Sequence, residues 1–382
     1  MNHCNSTFPG KRAHLQQGMT LIELMVALTV GLLLALAVTT VIAVTLRQQK
    51  VSAAVGERDQ AGAYAIAQLD KYIRSAGSGF SNTSLFGMLG CTLHATKGST
   101  TLLPAASLGA PFASVSSLKA PAVAPVLVET GVGANGSDVI FVMAAHGGAA
   151  NVPRAVLPAG SAVPTLAFNN VISFAPKDLV LVAANGHSDC YISQINTTAS
   201  VSATVGLGGS YYAASQITPL QAIVDSKAAY LAALGNSAGG YPVARLFGVG
   251  NGDMLYQYDV LQLTSSSAGT IAEDVSHVFA LYGVDTDNDG KVDTWVSPGA
   301  AGWTVTDLKA ASSKINQILA IRVAVVTHSH GTKEAGISPA TLYAFADLGS
   351  LKKTITLTST QRADRFKVME SIIPLRNNLL VQ

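Results

Sequence analysis

The stretch G-M-T-L-I-E-L-M-V-A-L-T-V-G-L-L-L-A-L-A-V-T-T-V-I-A-V-T-L-R, Gly18 to Arg47, decides how the rest of the chain is read. From Met19 to Leu46 a single side chain carries charge, Glu23. Coiled as a helix, that run would be about 42 Å long, ample for a ~30 Å hydrocarbon core. A carboxylate in such a run costs about 3 kcal/mol on insertion scales, so its position needs a reason. Residues 1–18 are polar, hold Lys11 and Arg12, and contain no acidic residue. A secretory signal has a shorter apolar segment and ends at a small-residue site, and T-L-R-Q-Q-K offers none. A plain membrane anchor fits the length and leaves Glu23 unexplained.

Gly18 to Glu23, G-M-T-L-I-E, resembles the cleavage motif of type IV prepilins. The resemblance implies a leader, residues 1–18, removed by a prepilin peptidase that cuts after Gly18 at the inner membrane. It also implies N-methylation of the new terminus, Met19. Glu23 then stands fifth in the mature chain. There its carboxylate can pair with the terminal amine of a neighbouring subunit. Breaking a buried ion pair costs about 3–5 kcal/mol, so the pair would act as a register mark in assembly. The first turn of a helix also favours an anion by ~0.3–1 kcal/mol.

Past the apolar helix, residues 19–46, an amphipathic second half covers 47–77. Val51, Val55, Gly62, Ile66, Leu69 and Ile73 fall on one helical stripe, and Gly77 and Gly79 end it. The stripe is read as packing against a head. L-D-K-Y-I-R-S-A-G, Leu69 to Gly77, is similar to the PilW branch of minor pilins. A cysteine tends to follow in that branch, and Cys91 in M-L-G-C can fill the place. The chain has three cysteines, Cys4, Cys91 and Cys190, and no C-x-x-C. With Cys4 lost in the leader, Cys91 and Cys190 remain, the even number that one disulfide in an oxidising compartment needs. Two buried free thiols are the other reading.

Charged residues make up 12% of the chain and the net charge is +2. That balance suits an extracytoplasmic, turn-rich protein and gives no electrostatic case for nucleic acid. From residue 80 to 382, short β-branched runs alternate with Gly, Ser, Asn and Pro clusters. The strand candidates are Asp138–Ala145, Asp178–Ala183, Cys190–Ile195, Met254–Leu263, Val275–Tyr282, Ala320–Thr327 and Thr354–Leu357. Residues 98–136 and 196–243 read as long insertions, loops or a subdomain, with helix expected over Thr218–Leu234. The expected fold is α+β: a long pilin helix packed on an antiparallel β-rich head with large loop insertions. Ala280 to Trp295 and Arg365 to Asn377 are again similar to PilW-like proteins.

Within the first of these, Asp285, Asp287, Asp289 and Asp293 form D-x-D-x-D-G-x-x-D around Gly290. Alternating oxygens with Gly at the bend suit calcium, but Val296 stands where an EF-hand places Glu. N-D-G is equally a hairpin turn. His328 and His330 in T-H-S-H-G could ligate a metal; no third ligand is near, and exposed strand-end histidines are expected. His146 stands alone. G-V-G-N-G, Gly248 to Gly252, is read as a turn, because strand rather than helix follows. No nucleophile elbow or zinc-protease motif occurs. The expected function is non-enzymatic: a minor pilin of type IV pilus assembly. Its expected partners are prepilin peptidase, other minor pilins and the major pilin, with its head in the periplasm and later at the cell surface. A type II secretion pseudopilin and a pilus-borne adhesin are the alternatives.

Overall fold

No proline interrupts residues 20–75, and Leu, Ala and Val dominate their first half, so the segment forms one helix, α1 (Leu21–Ser75). The computed structural model describes residues 18–81, 88–146, 153–262, 268–329 and 337–379. The chain divides into two compact units, residues 1–53 and 54–382. His330 lies outside the described residues.

In the first unit the apolar side chains of α1 point outward all round the helix, Leu21 being 77% and Leu32 71% exposed. A helix that is apolar on every side is built for an apolar surround. Its threonines agree with this. Thr29, Thr39, Thr40 and Thr45 donate to the carbonyls of Val26, Leu36, Ala37 and Val41, at 2.8–2.9 Å. Each hydroxyl is thus satisfied within the helix, as an apolar surround would require.

The second unit begins with the rest of α1. Arg58, Gly62, Ala65, Leu69 and Ile73 are its buried stripe. Ala65, Leu69 and Ile73 join the main core cluster. A four-stranded antiparallel sheet runs in the order Thr294–Val296, Val275–Val284, Ile318–Ser329, Arg365–Pro374. The two-residue period of a strand sorts its side chains. Val278, Ala280 and Tyr282 enter the cluster that holds α1, while Phe279 and Leu281 enter a smaller one on the other face. The hairpin Thr341–Ala344 with Lys353–Thr356 contributes Ala344 and Ile355 to that smaller cluster. Val275–Val284 is buried at every position, and from Val278 to Tyr282 it reads as a continuous apolar run rather than an alternating one.

A five-stranded antiparallel sheet runs Gly269–Ala272, Met254–Asp259, Val243–Gly250, Val139–Ala144, Val126–Glu129. A third, nine-stranded sheet contains Asp178–Ala184, Asp189–Ala199 and Ala229–Asn236, and covers its own core with helix α2 (Ile217–Asp225).

Two expectations change and one is resolved. The two insertions, read as loops or a subdomain, join the sheets through the strands Thr100–Leu103, Val126–Glu129, Thr204–Leu207 and Ala229–Asn236. Helix stops at Asp225 rather than Leu234, because Lys227 turns the backbone with a φ of 64° and a buried strand takes over. In that strand, sheet pairing overrides the helix propensity of A-A-Y-L-A-A-L. Gly248–Gly250 end the strand Val243–Gly250, and the turn falls one step later, around Asp253 with φ 53°. One pairing is parallel, Thr92–Lys97 beside Asp189–Ala199.

Candidate functional site

The first turn of α1 carries the residues on which processing and assembly are expected to act. Gly18 and Met19 precede the helix, and Met19 is 65% exposed. Thr20 is the N-cap. The Glu23 N–H donates to Thr20 Oγ1 at 3.3 Å, and the Thr20 N–H donates to Glu23 Oε2 at 3.4 Å. This reciprocal box satisfies two amides that a helix start leaves orphaned. T-L-I-E has the S/T-x-x-E spacing of that box, so Thr20 was readable from sequence and was missed. Glu23 therefore has a local structural task besides its charge.

Where α1 ends, the closing segment of the chain meets it. The last carbonyls of a helix need donors. Asn377 Nδ2 donates to Ser75 O at 3.2 Å and Ala76 O at 2.8 Å. Its neighbour Asn378 donates to Ile315 O at 3.1 Å and Ile318 O at 3.0 Å. The Gly77 N–H goes to Met143 O at 2.8 Å. Thus the I-R-S-A-G and R-N-N segments, remote in sequence, form one junction. Alongside, Tyr72 accepts a hydrogen bond from Arg245, whose guanidinium lies 4.9 Å from the ring centroid.

Cys91 and Cys190 are joined as a disulfide, with Cα atoms 5.7 Å apart. Both are buried; Cys190 lies in Asp189–Ala199, and Cys91 immediately precedes that strand's parallel partner, Thr92–Lys97. Within the nine-stranded sheet, the bond fixes the start of Thr92–Lys97 beside its neighbour Asp189–Ala199.

Of the four aspartates, three converge. Asp285, Asp287 and Asp289 each place a carboxylate oxygen within 4.8 Å of the others. Asp285 is fully buried and accepts the N–H groups of Asn288 at 2.7 Å, Asp289 at 3.3 Å and Gly290 at 2.8 Å. Asn288 and Gly290 take φ values of 62° and 84°, as this turn demands. Asp293 is not in the cluster. It accepts Thr286 N–H and Oγ1–H, both at 2.7 Å, and these bonds hold its carboxyl below the usual range. Asp287 is pushed the other way, by desolvation and then by the charges of Asp293, Asp289 and Asp285. The loop is held by its own hydrogen bonds, and Asp285, Asp287 and Asp289 are the residues that could share a cation.

His328 is buried rather than exposed. Its Nε2 is 3.0 Å from Asp253 Oδ2 and its ring stacks on Phe366 at 5.2 Å. It joins two turns and a strand, a structural use. His146 is exposed.

Two family models match. The prokaryotic N-terminal methylation motif covers residues 14–39, and type IV pilus-assembly protein W covers 241–377. The two matches support a PilW-like type IV pilin. No curated protein matches the chain, and no solved structure does. The second match takes in the four-stranded sheet, the aspartate loop and Asn377, the residue that caps α1. The disulfide and the sheet that α2 covers lie outside both matched segments.

Proposed function

We propose that this pilin is a minor subunit that starts type IV pilus assembly. It enters the inner membrane through α1 with its head in the periplasm. Prepilin peptidase cuts after Gly18, and Met19 becomes the methylated terminus. The processed chain then joins other minor pilins and the major pilin, and its role is structural rather than catalytic. The observation that carries this reading is the methylation-motif match over Gly18 to Glu23, at the head of a helix that is apolar on every side. Glu23 is the only charge on that surface before Arg47. The proposed step is electrostatic. The amine freed on Met19 of one subunit neutralises Glu23 of the next, so the carboxylate's desolvation is offset only at the correct axial register. The match to pilus-assembly protein W supports a pilus rather than a secretion pseudopilus. Gly18→Ala tests the reading: it should leave the leader attached and the chain outside pili, whereas normal trimming of that variant contradicts it.

A further inference from the structure

Strand Arg365–Pro374 closes one side of the four-stranded sheet and, among the described residues, pairs only with Ile318–Ser329. The register shows which of its amides face outward. His328, opposite Phe366, gives its N–H to Asp274 O on its far side, and the Phe366 N–H goes to Ser338 Oγ. Neither bonds across the pair. Alternation along an antiparallel ladder then turns Val368, Glu370 and Ile372 outward. Among the described residues, the main-chain N–H and C=O groups of these three meet no partner.

A groove of about 660 Å³ lies beside this edge. Ala63, Ile66, Ala67 and Asp70 of α1 form one wall, and the strand residues from Lys367 to Ser371 other than Val368 form the other. The charges around it are already paired: Asp70 with Arg74, Lys367 with Asp59 at 2.9 Å, Glu370 with Arg322 at 2.6 Å. Ile372, an apolar side chain on the open edge, is 55% exposed. Open edges are normally kept short, bulged or guarded by free charge. The opposite edge of this sheet, Thr294–Val296, is three residues long. The ten residues of Arg365–Pro374 pair without a register shift, and beside the outward-facing Val368, Glu370 and Ile372 the charges of Lys367 and Glu370 are committed to Asp59 and Arg322.

We propose that this edge receives a β-strand from a different chain. An open ladder selects an extended backbone, and a groove walled by Ala63, Ile66, Ala67 and Met369, whose three charged residues are already paired, selects uncharged side chains. The incoming segment is uncharged, about five residues long, and points small apolar side chains alternately beneath α1. A second copy of the same strand is disfavoured: paired about its free centre it sets Glu370 against Glu370. The assembly reading supplies the donor, another pilus subunit; the open edge itself does not depend on that reading.

The test is residue-resolved amide hydrogen exchange on the full-length chain, in membranes that contain or lack the other pilus proteins. The N–H groups of Glu370 and Ile372 should exchange at least tenfold more slowly when those proteins are present. Lys367 and Met369, already in the ladder, should not change. Ile372→Pro removes one outward donor and no bond of the chain's own ladder, so it should abolish the protection at Glu370; Ile372→Ala should keep it. Unchanged exchange at Glu370 and Ile372 overturns the proposal, and the wild-type comparison stands even if the proline variant misfolds. Protection in membranes holding this chain alone overturns the choice of a different chain. Removal of the leader, followed in the same samples, reports on the assembly reading separately.

Discussion

Thr20 and Glu23 bond reciprocally across the first turn of α1, with the Glu23 N–H 3.3 Å from the threonine hydroxyl and the Thr20 N–H 3.4 Å from the carboxylate. A carboxamide keeps an acceptor for the Thr20 amide and loses the charge. Glu23→Gln therefore separates capping from ion pairing. It should be processed normally and should lower surface pili as far as Glu23→Ala does. Thr20→Ala should cost about 1 kcal/mol of helix stability and leave most pili in place. Pili counted by electron microscopy decide; wild-type piliation of Glu23→Gln would show that capping is the residue's whole task.

Gly62 is in the buried stripe because Met369 lies on it. A Cβ there would fall 1.6 Å from Met369 Cε and 3.1 Å from Thr327 Cγ2. Gly62→Leu should destabilise the unit of residues 54–382 by about 1–3 kcal/mol through overpacking. Met369→Ala in the same chain should recover part of the loss, because the methionine is the obstructing group. Urea unfolding followed by tyrosine fluorescence measures both, and strict additivity would contradict the contact.

Asp138 is buried with its Oδ1 accepting the Gly131 N–H and its Oδ2 the Ala280 N–H, both at 3.0 Å. Burial lifts its pKa from 3.8 to about 6. The folded state thus holds a proton that the unfolded state has released between those values. The stability this proton gives is complete below the unfolded pKa and is lost as pH rises through about 6. At 1.36 kcal/mol per unit the change is about 3 kcal/mol. The stability of the wild type minus that of Asp138→Asn should fall by that order between pH 4 and 7.5. A difference that is flat or rises with pH contradicts the assignment.

The aspartate loop gathers three carboxylates without a bidentate twelfth ligand, since Val296 stands there. Sites of that poverty bind calcium weakly. Titration calorimetry should show no saturation below about 0.1 mM calcium, and chelator should leave the melting temperature unchanged, because Asn288, Asp289 and Gly290 already hold Asp285. Micromolar binding would show that another group completes the site.

The sequence was most readable where physics is local. The helix from residue 21 to 75 follows from composition and the lack of proline, and its stripe from a 3.6-residue period. Strands such as Val139–Ala144 and Val275–Val284 follow from β-branched runs bounded by turns. Ala229–Asn236 was not legible, because its alanines and leucines favour helix and only cross-sheet pairing with Asp178–Ala184 makes it a strand. Likewise, nothing local in T-H-S-H marks His328 as buried; Asp253 and Phe366, which enclose it, come from other turns and strands. Asn377 could be read as part of a family ending, but the carbonyls it caps at Ser75 and Ala76 lie about 300 positions away. Glu23 stands out by its spacing from Gly18 and as the lone charge of its run, and the T-L-I-E spacing marks Thr20 as its capping partner.

The most direct measurement is the mass of the amino-terminal peptide of the protein taken from cells that possess prepilin peptidase, with Gly18→Ala alongside. The wild type should begin at Met19 with one added methyl group, and the variant should keep residues 1–18. A wild-type chain that still carries Met1 to Gly18 would contradict the account.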